Sequence, residues 1–97
     1  MKVVATLEAV RFIREHRGQL FVWVVSLRYG AGNVFALEAS TDSPGPEHDF
    51  RLMGGNDFDV LLDTEGREPP EELHVALRGR LRKQLRAYWN GNSFTQD

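Results

Sequence analysis

The stretch Gly18 to Ser40, GQLFVWVVSLRYGAGNVFALEAS, constrains the fold more than any other part of the chain. Leu20 to Tyr29 is rich in β-branched and aromatic residues, which suit a pleated surface. Gly30-Ala31-Gly32-Asn33 follows, and two glycines with an asparagine take positive φ cheaply, so the chain can fold back there. Val34 to Ala39 is the expected return strand. Val22, Trp23, Val24 and Val25 make the first strand apolar on both faces. That predicts an interior strand, covered by a helix on one side and by a partner subunit on the other.

The flanks supply the rest of an α+β domain. Lys2 to Ala5 reads as a short edge strand. Thr6 is placed to cap a helix, with Glu8 in its positive first turn. Ala9, Val10, Phe12 and Ile13 form one apolar stripe at helical spacing, so residues 7–17 are expected to be helical, with Gly18 as the C′ stop. Beyond the hairpin, Ser43-Pro44-Gly45-Pro46 marks an exposed loop, because proline donates no ladder hydrogen bond. Asp49 to Met53 and Phe58 to Asp63 read as strands joined by the turn Gly54-Gly55-Asn56-Asp57, giving an antiparallel meander. Residues 71–78 stay open between helix and strand. Leu73, Leu77, Leu81 and Leu85 recur every four residues, whereas Leu73, Val75 and Leu77 alternate. Gly79 costs about 1 kcal/mol relative to alanine inside a helix. A short C-terminal helix is therefore expected at roughly residues 80–88. The predicted architecture is a single domain over residues 1–97. It has a small, mostly antiparallel sheet, the first helix on one face, and a helical segment near the C-terminus.

Composition narrows the function classes. Apolar residues at 41% and charged residues at 27% describe an ordinary globular chain. No apolar run nears the roughly 20 residues that span a bilayer. Met1 to Ala5 is too short for a signal peptide, so no membrane contact is expected and cytoplasm is the default location. The absence of cysteine excludes disulfides, thiolate nucleophiles and thiolate metal sites. His16, His48 and His74 lack the spacing of a zinc site and read as surface histidines. Asp57, Asp59, Asp63 and Glu65 lack the calcium-loop spacing and read as a solvated strand face. Gly30-x-Gly32 lacks the third glycine of a phosphate loop, and no serine sits in a nucleophile elbow. No catalytic residue, cofactor site or metal site is assigned, and no enzyme activity is expected.

Charge and aromatic residues point to binding. Residues 38–72 carry eleven acidic and two basic side chains, whereas residues 73–97 carry five basic and one acidic. The simplest expectation is that these segments neutralise each other in the fold. Trp23, Tyr29, Arg78, Arg82, Arg86 and Trp89 form the candidate interaction surface, since aromatic residues and arginine are enriched in interfaces. On a helix, Arg78, Arg82 and Arg86 would share one stripe, with Trp89 near its end. Adding Lys83 gives a candidate nucleic-acid surface, although a chain with pI near 5.9 is more acidic than a typical binder.

Five short motifs resemble the HesB-like A-type iron–sulfur carriers. They are Thr6-Leu7-Glu8-Ala9, Arg28-Tyr29-Gly30-Ala31-Gly32, Leu37-Glu38, Phe58-Asp59-Val60-Leu61-Leu62-Asp63 and Asn90-Gly91-Asn92-Ser93-Phe94. The resemblance implies that family's fold and its self-association. The family holds its iron or cluster with one cysteine in the glycine turn and two in a Cys-Gly-Cys tail. The matching positions here carry Ala31 or Gly30, Asn90 and Asn92, and amides are poor substitutes for anionic thiolates. The expected function is a non-enzymatic, self-associating protein-interaction module, a homodimer, on a HesB-like scaffold. Its partners are a second copy and an unidentified protein. A nucleic-acid binder and a residual metal or iron–sulfur carrier remain the alternatives.

Overall fold

The long hairpin forms as the sequence predicts. The computed structural model describes residues 1–30, 32–54, 57–79, 82–90 and 95–96, with side chains except at 26–29, 33–35, 90 and 95–96. Strand β2 (Gln19–Tyr29) pairs antiparallel with β3 (Gly32–Ser40), and Tyr29 stands opposite Gly32. Gly30 takes φ +56 at the reversal, a conformation glycine accepts without strain.

Before the hairpin come β1 (Lys2–Ala5) and α1 (Leu7–Glu15), the one helix among the described residues. Thr6 caps α1 as its sequence position predicts, its hydroxyl accepting from the Ala9 amide at 3.2 Å. The helix is two residues shorter than expected. Its left-handed C′ residue is Arg17, at φ +88, and the following Gly18 amide donates to the Ile13 carbonyl at 2.9 Å, closing a Schellman-type end.

After the hairpin come β4 (Arg51–Leu52), β5 (Asp59–Asp63), β6 (Glu72–Arg78), β7 (Gln84–Asn90) and β8 (Thr95–Gln96). They complete two sheets rather than one. The larger has the order β4-β5-β2-β3-β8 and the smaller β1-β6-β7. Antiparallel pairs predominate, but β1 runs parallel to β6, and β2 parallel to β5.

The expected C-terminal helix is not formed, since residues 84–90 are strand β7. Its side chains alternate, with Leu85, Ala87 and Trp89 on one side and Gln84, Arg86 and Tyr88 on the other. Residues 72–78, left open by the sequence, are strand as well. The fourfold leucine spacing is a coincidence of two strands, interrupted where Gly79 adopts φ +109. Leu81 lies outside the described residues.

The core lies between the sheets and under the helix. Ala9 and Ile13 of α1, Leu20 and Val22 of β2, Val60 and Leu62 of β5, and Leu73 and Val75 of β6 are buried together. The opposite face of β2 has a cover within the chain itself. The chain's own segment 41–50 lies there: Phe50 meets Phe21 edge-on at 5.2 Å and Trp23 at 6.4 Å between ring centroids. The two apolar faces of β2 thus have two internal covers, which removes the original reason for placing a subunit contact on that face.

Candidate interaction surface

Residues 41–50 are held down by one polar pair. His48 packs on Trp23 and Phe50, with ring centroids 5.7 Å and 5.4 Å away. Its Nδ1 lies 3.0 Å from Oδ2 of Asp63. The Asp63 carboxylate is buried and also accepts from the amides of Glu65 at 3.0 Å and Asp49 at 3.3 Å. Burial pushes its pKa up. The hydrogen bonds from the Glu65 amide, the His48 ring and the Asp49 amide, with the attraction of His48, outweigh that and hold it below its ordinary 3.8. An ionised carboxylate only accepts, so His48 donates through Nδ1.

Neither residue is the surface group the sequence predicts. Asp63 belongs to no solvated strand face, although Asp57, Asp59 and Glu65 are exposed, and His48 is mostly buried. Fifteen residues separate the pair, and no local pattern announces it. A cleft of about 320 Å³ adjoins it, lined among others by Arg51, Met53, Thr64 and Arg67. The Thr64 hydroxyl donates to the Arg67 carbonyl at 2.6 Å. Among the lining residues there is no serine or cysteine for the histidine to activate.

The predicted surface residues separate. Trp23 is half-buried in the aromatic cluster, and the side chain of Tyr29 lies outside the described residues. Trp89 stands opposite the buried Leu73, on the inward side of β7. Arg78 and Arg86 do share a face, but it is a sheet face and not a helical stripe. Arg82 lies in the connection before β7, so the three do not line up.

The outward face of the small sheet carries Lys2, Val4, Glu72, His74, Ala76, Arg78, Gln84, Arg86 and Tyr88 among the described side chains, with Lys2 opposite Glu72. Tyr88 is 48% exposed and stands opposite His74. His74 Nε2 lies 3.1 Å from Oε1 of Glu72. Arg86 donates to Gln84 at 3.3 Å. Among the described residues, Arg78, Arg82, Lys83 and Arg86 form no ion pair with a carboxylate. The expected neutralisation of the basic C-terminal segment by the acidic middle is therefore not seen for these four. Sequence reasoning missed Tyr88; the alternation Leu85-x-Ala87-x-Trp89 was the signal that turns it outward.

No protein-family model and no curated protein sequence matches the chain. Among solved structures, the fold is similar to that of Escherichia coli SufA, a protein involved in the biosynthesis of iron–sulfur clusters. The likeness covers 95% of this chain and 83% of SufA, at a TM-score of 0.52 and 17% identity. It supports the HesB-like fold implied by the sequence motifs and extends to fold alone. The carrier chemistry is a separate matter. The chain has no cysteine, so a thiolate-held cluster does not fit its donor set. Among the described residues, no group of three histidine or carboxylate side chains is arranged to hold a metal ion. Ala31 and Asn92 lie outside the described residues, as does the Asn90 side chain. Thr95 and Gln96, just beyond the tail motif, pair with Val34 and Asn33 beside the hairpin end. No helix among the described residues is long and apolar enough to cross a membrane.

Proposed function

We propose that the chain is a non-enzymatic, self-associating interaction module of the cytoplasm, built on a HesB-like scaffold that has lost its cluster ligands. One observation carries this reading. On the outer face of the larger sheet Phe50 and His48 pack on Phe21 and Trp23 of β2, whereas on the outer face of the small sheet Tyr88, Arg78 and Arg86 are exposed among the described residues. Tyrosine and arginine are the residue types that dominate binding energy in protein interfaces. Sedimentation equilibrium tests it: a concentration-dependent rise above the monomer mass of 11.1 kDa is expected in the high-micromolar range. A strictly monomeric species throughout that range refutes it.

A second reading, nucleic-acid binding, is favoured by the four basic side chains that form no ion pair with a carboxylate among the described residues, with Tyr88 replacing Trp89 as the stacking ring. A salt titration against mixed single-stranded oligonucleotides decides it, since phosphate contacts make affinity fall steeply with salt.

A further inference from the structure

We propose that the cleft between the two sheet edges binds a sugar phosphate, with Lys83 and Arg86 on the phosphate and Glu38 on the sugar hydroxyls. The inference goes beyond the self-association reading and does not depend on it.

The site follows from where the two sheets end. β8 pairs with β3 only at Asn33 and Val34, so from residue 36 onward β3 is an open edge. β7 is the last strand of the small sheet, so its far side is an edge as well. No ladder joins these two edges among the described residues. A cleft of about 260 Å³ lies between the end of β3 and the start of β7. Strand edges offer backbone N–H groups that no ladder uses, and such groups are donors to anions.

The side chains of the cleft supply more donors. Lys83 and Arg86 line it from the β7 side, both exposed, and neither forms an ion pair with a carboxylate among the described residues. Arg86 gives Gln84 one of a guanidinium's several N–H groups, at 3.3 Å. Ser40 and Thr41 line the cleft from the β3 side, both half-buried. The Ser40 hydroxyl accepts from the Asp42 amide at 3.0 Å, which leaves its proton to donate. The Thr41 hydroxyl has no partner among the described residues. A planar carboxylate is satisfied by one guanidinium fork. Two cations and two hydroxyls on separate walls suit a group with three terminal oxygens, which is a phosphate monoester.

Glu38 sets the second requirement. It is exposed, it lines the same cleft, and it opposes a bare anion. A carboxylate accepts from hydroxyl groups, so the phosphate must arrive on a hydroxylated body. Phe12 of α1, half-buried, and Leu85, buried, give that body an apolar contact. The volume admits one small ring with its phosphate and falls below the usual range for larger ligands, about 300–1,000 Å³. Lys83 is held in place by its neighbour. An added Cβ at Gly79 would collide with the Arg82 carbonyl oxygen, so the β6–β7 connection is packed tightly just before the cation.

Titration with ribose 5-phosphate, inorganic phosphate and ribose tests the site, followed by calorimetry and by amide chemical shifts. Ribose 5-phosphate is expected to bind with a Kd of about 0.1–1 mM, at least about tenfold tighter than inorganic phosphate, with ribose not binding. Shifts should concentrate at residues 38–41 and 83–86. Lys83→Gln and Arg86→Gln should each weaken binding about fivefold or more, whereas Arg78→Gln, outside the cleft, should leave it unchanged. Glu38→Gln should narrow the preference for ribose 5-phosphate over inorganic phosphate, a change that general loss of structure does not produce. Circular dichroism verifies that each variant is folded. No shift at about 20 mM ribose 5-phosphate overturns the site, and so does equal binding of ribose 5-phosphate, phosphate and sulfate, which marks general attraction to a basic surface. An oligonucleotide that binds equally with and without a 5′-phosphate, and displaces ribose 5-phosphate, assigns these cations to a nucleic-acid strand and equally overturns it.

Discussion

Asp63 stands opposite Trp23 in the parallel pairing of β2 and β5, and its carboxylate holds the histidine that packs on that same tryptophan ring. A buried charge thus fastens an aromatic cover. Each part depends on the other: His48 and two amides stabilise the charge, and the charge fixes where His48 lies.

Replacing Asp63 with asparagine should be costly. The neutral amide cannot accept from His48 and both backbone amides as a carboxylate does. Loss of charge-assisted hydrogen bonds of this kind costs about 2–3 kcal/mol, read as a lower urea midpoint. Trp23 fluorescence should shift toward that of an exposed indole as residues 41–50 loosen.

The same residue gives a pH dependence. Folding holds Asp63 below its ordinary 3.8, so the unfolded chain takes up that proton first. Its stabilising contribution is complete above the ordinary value and disappears as pH falls through the lower, folded one. Thermal unfolding of wild type and Asp63→Asn across pH 2–6 should therefore converge at the acid end. A gap between them that stays constant over the whole range contradicts this assignment.

Gly79→Ala should be more damaging than Gly18→Ala. Both glycines have positive φ, but an added Cβ at Gly79 collides with the Arg82 carbonyl oxygen, while at Gly18 it meets nothing. About 1 kcal/mol of backbone strain is expected at Gly18. At Gly79 the β6–β7 connection must also move, raising the cost to about 2–4 kcal/mol. Equilibrium urea unfolding of the two variants side by side measures the difference.

Thr6→Ala and Ile13→Ala probe the two ends of the α1 contribution. The first removes the hydroxyl that accepts from Ala9 and should cost about 1 kcal/mol. The second empties a fully buried position against β2 and β6 and should cost about 2–5 kcal/mol.

Tyr88→Ala separates binding from stability. The ring is about half exposed and turned away from the core, so the unfolding midpoint should stay within about 0.5 kcal/mol of wild type. Self-association, measured by light scattering on the same samples, should weaken clearly.

The legible parts of the fold were those set by local chemistry. The hairpin, the Thr6 cap, the apolar stripe of α1 and the β4–β5 meander follow from neighbouring residues. What the sequence concealed was non-local. Leucines at 73, 77 and 85 fall at helical spacing only because two alternating strands place them there, and the competing alternation at Leu85, Ala87 and Trp89 is the one that forms. The His48–Asp63 contact joins a loop to a strand end, so each residue alone looks like a surface polar group. The candidate surface was half legible. Arg78 and Arg86 belong to it, but reading β7 as helix chose Trp89, which faces inward, over Tyr88.

The parallel pairing of β1 with β6 sets an order on assembly. Lys2 finds its place beside Glu72, so the amino-terminal strand has no ladder to join until some seventy later residues have been made. On a ribosome, the helix and the long hairpin can meet early, while the small sheet waits for β6. Closing so distant a contact is entropically expensive and slow. The face that carries Tyr88 is therefore among the last parts of the molecule to exist, and a chain halted before β6 leaves β1 with no strand to pair with.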